Sequence, residues 1–307
     1  MAEVLEALRA RARQRRPRLV LPETADARIV AARRALESDG LAEVVWIESP
    51  AADPRYDDVA ALVFERRRHK GVTEADAAQL AAQPLVFGAG LCGLGHADAG
   101  VSGAAHATAD VIRAGLACIG TDPATPLVSS MFLMVRGAEV LSFADCGVVP
   151  DPDPQQLVHI AGATARNHRL LAGDEARVAF LSFSTKGSAA HPMVDKMRGA
   201  CDAFRRAHPD VPADGELQFD AAYAPEVAAR KCPDSPLGGR ANVLVFPDLD
   251  AGNIAYKLAQ RLGRFDAYGP LLQGFRTPWL DLSRGCTERD VVGVGVVAAA
   301  MLGANDR

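Results

Sequence analysis

Near the C-terminus, the run Asp281-Leu282-Ser283-Arg284-Gly285-Cys286-Thr287-Glu288-Arg289-Asp290 concentrates groups suited to holding an anion and moving a proton. An apolar run through Pro270 and Leu272 precedes it, and Val291 to Met301 reads as a small-residue apolar helix. The segment is therefore a loop entering a helix N-terminus, where unpaired N–H groups and the macrodipole favour negative charge. Ser283 brings a hydroxyl and Arg284 a two-pronged cation for phosphate or carboxylate, while Gly285 lets backbone approach a ligand. Asp290 adds a carboxylate. The same residues have a plainer use: Thr287 followed three residues later by Asp290 fits a capping box, in which Asp290 only closes its own helix.

Other stretches invite chemistry less specifically. Val178 to Phe183 reads as a buried strand running into Ser184-Thr185-Lys186-Gly187-Ser188. Such a turn can cradle an anion but lacks P-loop spacing, so the functional and structural readings both stand. Glu65 to Gly71 is a basic run at a helix end, which as a solvated face would also complement the helix dipole. Gly88-Ala89-Gly90-Leu91-Cys92-Gly93 matches GxGxxG, but the glycine-broken residues after it do not resemble the helix a dinucleotide fold requires. Those glycines are expected to loosen a helix, at about 1 kcal/mol each against alanine. His106 could be an acid–base group, although loop or packing histidines are commoner. Cys146 suggests an acyl nucleophile or, more simply, a small buried hydrophobe. Asp248 and Asp250 are two acids without the further ligands a magnesium site needs.

The bulk properties exclude several classes. A chain of 307 residues has room for two domains, and a net charge of -4 gives no general case for nucleic acid or an anionic membrane. Six cysteines without CxxC spacing read as reduced thiols, which points to the cytoplasm. No apolar run reaches membrane-spanning length. Ala2 to Arg16 reads as a surface helix, a transit peptide being the weaker alternative.

The elements that must position these residues alternate between strand and helix. Arg18 to Leu21 is a first strand, Ala25 to Ser38 a helix stopped by Gly40, and Val44 to Ile47 a second strand. Val128 to Val135, Glu139 to Phe143 and Asn242 to Phe246 read as further strands. Pro150 to Pro154 reads as a turn, Gln156 to Leu170 as a helix, and a helix after Asn253 carries Lys257. The rhythm is that of an α/β protein.

The C-terminal segment resembles the signature of the phosphate acetyltransferase (phosphotransacetylase) family. So, in family order, do "RLVLPETADARIV", "ERRRHKG", "HATADVIRAGL", "FADCGVVPDP", "LSFSTKGSA", "DGELQFDAAYAPEVAARK" and "ANVLVFPDLDAGNIAYKLAQRLG". The resemblance departs by a stretch of roughly twenty residues missing after Ile47, by the glycines at 88–95, and by Asp250 where the family usually has asparagine. It implies a two-domain, isocitrate/isopropylmalate dehydrogenase-like fold with the active site in the interdomain cleft. The first domain would be 1–135 plus 272–307, and the second 136–271. It implies reversible acetyl transfer between CoA and phosphate by direct attack, with no acyl-enzyme, no bound metal and no cofactor, CoA itself being substrate. Catalysis would fall to Asp290, Arg284 and Ser283. CoA and phosphate would be bound by Arg67, Arg113 and Lys257, with Gly285 and the Ser184, Thr185, Lys186 turn. A homodimer is expected. The family also includes a phosphate butyryltransferase activity, and a related domain fused to some malic enzymes suggests a non-catalytic acetyl-CoA sensor as the alternative from another class.

One magnitude constrains the implied base. A free thiol near pKa 8.5 and a free Asp near 3.9 are about 4.6 units apart, so proton transfer to Asp290 is roughly 6 kcal/mol uphill. Stabilisation of the thiolate by Arg284, or transfer concerted with attack, would have to offset this.

Overall fold

The computed structural model describes residues 3–303; Ala2, expected to open the first helix, lies outside them. The chain begins with α1 (Glu3–Arg15), β1 (Arg18–Val20), α2 (Ala27–Ser38), β2 (Glu43–Val45), α3 (Tyr56–Arg67), α4 (Glu74–Ala81), α5 (Pro84–Gly93), β3 (Ala99–Ser102) and α6 (Thr108–Cys118). The antiparallel pair β4 (Ser129–Arg136) and β5 (Glu139–Ala144) follows, then α7 (Pro154–Ala172), β6 (Val178–Leu181), α8 (Pro192–Ala207) and β7 (Ala213–Leu217). After α9 (Phe219–Tyr223), α10 (Pro225–Lys231), β8 (Val243–Val245), α11 (Leu249–Arg261) and β9 (Asp266–Gln273), the chain ends on β10 (Trp279–Asp281) and α12 (Glu288–Met301).

Contacts divide the chain into two compact units, one of Leu5–Pro123 with the chain from Phe275 onward, the other of Ala124–Gly274. The division falls earlier than residue 135 for a physical reason. β4, expected at the end of the first domain, pairs along its length with β5 and β9 and belongs to the second sheet. That sheet runs β7-β6-β8-β5-β4-β9 and carries a core including Phe132, Phe143, Leu181, Leu244 and Phe246.

The first unit holds a parallel sheet in the order β10-β3-β1-β2. Successive strand residues point to opposite faces. Leu19 lies beneath Gly295 of α12, whereas Val20 lies beneath Gly88 of α5, so helices cover both faces. All-parallel sheets require this, since both faces must be buried. β1 and β3 are neighbours, but β1 leads into α2, which packs on α12, while β3 leads into α6, which packs on α5. Their loops therefore part at the carboxyl ends of the strands, the place where open α/β sheets bind ligands.

The GxGxxG run is not a phosphate turn, nor a loosened helix. Gly88, Gly90 and Gly93 all lie within α5, whose residues Leu85 to Cys92 are buried. A Cβ at Gly88 would stand 2.9 Å from Pro22 Cβ, and one at Gly90 only 2.5 Å from Val59 of α3. At Gly93 it would collide with the Cys118 carbonyl at the end of α6. The glycines let α5 approach β1, α3 and α6 closely; this corrects the expectation drawn from helix propensity alone, because packing overrides it.

Candidate active site

Three loops meet at the carboxyl edge of the first unit's sheet, following β1, β3 and β10. The last contains Ser283, Arg284 and Gly285, all exposed, between β10 and α12. Its entry is fixed by the sheet, since Leu282 N donates to Ser102 O at 2.8 Å. Its exit is fixed by a capping box. Asp290 Oδ2 accepts from Thr287 N at 2.8 Å and from Thr287 Oγ1 at 2.9 Å, and the Thr287 hydroxyl serves Asp290 N in return. Asp290 thus has a structural task whatever else it does. Ser283 Oγ accepts from Gly285 N at 3.2 Å, folding the loop on itself.

Arg28 fastens this loop to its neighbours, and the sequence reading did not single it out. Its guanidinium donates to Arg284 O at 2.8 Å, to Cys286 O at 2.9 Å and to Ala104 O at 2.8 Å, while Asp26 holds it bidentately from behind. Asp26 also caps α2, which carries Arg28. One cation therefore sets the spacing of the loops after β3 and β10. An arginine just after a strand and a capping aspartate was the available signal, within the "PETADAR" block.

Two buried carboxylates lie under the same loops. Glu23, after β1, accepts from Ala104 N at 2.9 Å and Ala105 N at 2.8 Å, and meets His106 Nδ1 at 2.7 Å. Asp281, at the end of β10, takes the Thr108 hydroxyl on Oδ2, while its buried Oδ1 has no hydrogen-bond partner. Burial pushes the Asp281 carboxyl up from 3.8 to about 6 against the opposing Thr108 bond, and the charge of Glu23 adds to the rise. Gly103 packs directly on this carboxylate, in the left-handed region at φ +106°, where a side chain would clash with Asp281 and Leu282.

The structure brings Arg67 and Arg113 together. Arg67 ends α3 and donates to Arg113 O at 3.5 Å, and Arg113 pairs with Asp110 on α6. Arg68 is occupied by Glu65 at 3.2 Å. Because Thr108 at the start of α6 bonds Asp281, α6 connects the signature loop with this arginine pair; five residues span about 7.5 Å along the axis.

The remaining proposed ligands lie in the second unit. The Ser184 hydroxyl donates to Glu216 at 2.8 Å, Thr185 Oγ1 exchanges bonds with Gln218, and the Lys186 amine pairs with buried Asp214. Burial disfavours the Glu216 charge, but Arg198, Gly187 N and Ser184 together outweigh it and hold the carboxyl down at about 2. The turn's side-chain donors thus serve an internal network. Lys257, exposed on α11, bonds Asn253 at 2.7 Å. Asp248 is the N-cap of α11, bonded by Ala251 N at 2.8 Å, which accounts for it without a metal. Among the described residues no group of three or more His, Cys, Asp or Glu is placed to hold a metal ion.

Nucleophile candidates fare poorly. Burial raises the Cys146 thiol well above its ordinary range, and Asp145 adds to this. Ser142, His168 and Asp174 form a chain with 2.8 Å bonds on both imidazole nitrogens, which looks like a hydrolytic triad. Ser142 and His168 are completely buried, so no substrate reaches them.

These observations define a class: a doubly wound α/β protein with an exposed Ser-Arg-Gly loop, entering a helix N-terminus, at the carboxyl edge of a parallel sheet. Residues 43–299 match the family described as "Phosphate acetyl/butaryl transferase", and the chain belongs to that family. It is 41% identical over 317 residues to a phosphate acetyltransferase of Thermoanaerobacterium thermosaccharolyticum, covering 95% of this chain and 97% of the relative. A solved phosphotransacetylase from Streptococcus pyogenes superposes with TM-score 0.92 at 39% identity, over 98% of each chain. The EutD phosphotransacetylase from Staphylococcus aureus does so with TM-score 0.90 at 37% identity, covering 97% of this chain and 98% of that one.

Proposed function

We propose that the protein is a phosphate acetyltransferase, moving acetyl reversibly between CoA and phosphate by direct attack in a ternary complex. The observation that carries this is the intact Ser283-Arg284-Gly285 loop, locked by Arg28 and the α12 cap, in a chain so similar over its length to phosphate acetyltransferases. Arg284 holds phosphate bidentately and, with Ser283, donates to the oxyanion formed on the thioester carbonyl. Positioning of phosphate beside the thioester supplies much of the rate. Arg67, whose guanidinium reaches the Arg113 main-chain oxygen, and Arg113 itself supply two neighbouring arginines for the phosphates of CoA. The resemblance alone assigns substrate binding to Lys257 and to the Ser184–Lys186 turn, whose side chains make internal bonds here, and it assigns proton transfer to Asp290. No metal or further cofactor enters the scheme. A cytoplasmic homodimer fits the reading: Ile254 and Leu258 of α11 and its C-cap Leu262 are exposed at four-residue spacing, a row of the kind that a second copy would cover.

The test is thiol release from acetyl-CoA with and without phosphate, repeated with propionyl- and butyryl-CoA. Phosphate-dependent release, fastest with acetyl, is expected. Fastest release with butyryl would move the activity to a phosphate butyryltransferase. Tight CoA binding without release would make the chain a sensor.

A further inference from the structure

The loop after β3 is fastened at both ends to one carboxylate, that of Asp281. At its start Gly103 lies against Oδ1, with no room between them for a Cβ. At its end the Thr108 hydroxyl donates to Oδ2. The middle is tied down as well, since Ala104 N and Ala105 N both donate to Glu23.

Thr108 also opens α6, and β10 grips that helix a second time. Trp279 Nε1 donates to Val111 O at 2.9 Å, and Gly115 packs against the rings of Trp279 and Phe275. Trp279 and Asp281 are two positions apart on β10, so their side chains share one face of the strand. Both are buried. α6 therefore rides on β10 through two side-chain hydrogen bonds. The one at Asp281 is hard to give up: Oδ1 already has no hydrogen-bond partner, so losing the Thr108 hydroxyl would leave a buried carboxyl group still less satisfied.

Different tasks attach to the two sides of this bond. α6 carries Arg113, about 7.5 Å beyond Thr108 along the axis, and the Arg113 main-chain oxygen receives the Arg67 guanidinium from α3. On the other side, Ser283 and Arg284 follow Asp281 by two and three positions. Leu282 between them is pinned to Ser102 O at 2.8 Å, which makes the link short and stiff. All of these residues lie within the first unit.

Resting on the acetyl-transfer reading above, we propose that Thr108 and Asp281 are positioning residues, whose bond makes the Ser283–Arg284 loop respond to CoA phosphates held by Arg67 and Arg113. The nucleotide end of CoA takes no part in the bonds that form and break. Its binding speeds the reaction only where it is conveyed to the reacting end. The contact between α6 and β10 conveys it: phosphates seated at Arg113 fix α6, Thr108 fixes Asp281, and Asp281 fixes the start of the signature loop. A thioester without the nucleotide meets the same side chains in a less ordered loop.

The experiment compares kcat for phosphate-dependent thiol release from acetyl-CoA and from acetylpantetheine, which has the same thioester and no phosphates. The enzymes are wild type, Thr108→Val and Thr108→Ser. Valine matches threonine in shape but donates nothing, whereas serine keeps the hydroxyl. Wild type should turn over acetyl-CoA about tenfold faster or more, within the usual range of coupling between two sites. Thr108→Val should lose about that factor with acetyl-CoA and stay within about twofold with acetylpantetheine, so that the two substrates converge. Thr108→Ser should restore the difference. The smaller substrate is also the control for folding, because a merely structural Thr108 slows both reactions alike. That result overturns the proposal, and so does a Thr108→Val enzyme that keeps the wild-type preference. Equal kcat for the two thioesters in wild type overturns it too, since nothing is then conveyed; the acetyl-transfer reading survives all three. A wild type without phosphate-dependent release from acetyl-CoA overturns the reading itself, and the proposal with it.

Discussion

Replacing Asp281 by asparagine should stabilise the first unit, and by an amount that grows with pH. Burial holds the folded carboxyl at about 6 against an ordinary 3.8, so the folded state binds the proton more tightly than the unfolded chain. Wild-type stability is therefore unaffected below about pH 3.8, falls as pH rises towards 6, and is reduced by a constant amount above that. Moving from 3.8 to about 6 corresponds to roughly 3 kcal/mol at full ionisation. The amide oxygen of the Asp281→Asn variant would still accept the Thr108 hydroxyl, and the amide carries no charge to desolvate. The variant's advantage over wild type should rise from about 0.5 kcal/mol at pH 4 to about 3 kcal/mol at pH 8. Urea unfolding followed by tryptophan fluorescence is the assay, because both tryptophans, Trp46 and Trp279, lie in the first unit and Trp279 is buried on β10. Equal midpoint differences at pH 4 and pH 8 would refute the reasoning.

Gly90→Ala tests the packing account of α5. Helix propensity alone would make it stabilising by about 1 kcal/mol, whereas the 2.5 Å approach to Val59 makes it destabilising by about 1–3 kcal/mol in the same fluorescence assay. A stabilised variant would restore the loosened-helix reading. His168 gives the second unit an acid limit. Burial lowers its pKa despite Asp174, so the unfolded chain takes the proton first and stability falls as pH drops below about 6.5. Unfolding followed by circular dichroism should show this slope in wild type and lose it in His168→Gln; an unchanged slope would assign the acid sensitivity elsewhere.

What the sequence disclosed depended on range. The alternating elements were legible because β1, β6 and β8 are short apolar runs between turn residues, and the α12 boundary carries a capping box readable at three-residue spacing; the equivalent box of Asp153 and Gln156 at α7 was missed, so that helix was begun at Gln156 and not at Pro154. The signature loop was legible for the same reason, its chemistry being contiguous. Arg28, Glu23 and Asp281 were not, because each acts on backbone or side chains brought alongside by parallel pairing of β1, β3 and β10. Arg28 reaches Arg284 across 256 positions, and no local pattern encodes that bond. The glycines of α5 were misread because propensity is a local quantity, while Val59 and Cys118, which require them, are remote in sequence. β4 was placed in the wrong half because strand pattern does not specify a partner.

The measurement that bears most directly on the central claim is phosphate-dependent thiol release from acetyl-CoA by the wild type and by Arg284→Gln. Arg284 is exposed, and its bond to Arg28 is made through its main-chain oxygen, so the substitution leaves the loop and its anchor in place. A loss of about 100-fold or more in kcat/KM for phosphate at unchanged thermal stability is expected, since the variant lacks the bidentate cation that holds and polarises the anion. An Arg284→Gln enzyme that turns over phosphate within a few fold of wild type would contradict the account and place the reaction away from this loop.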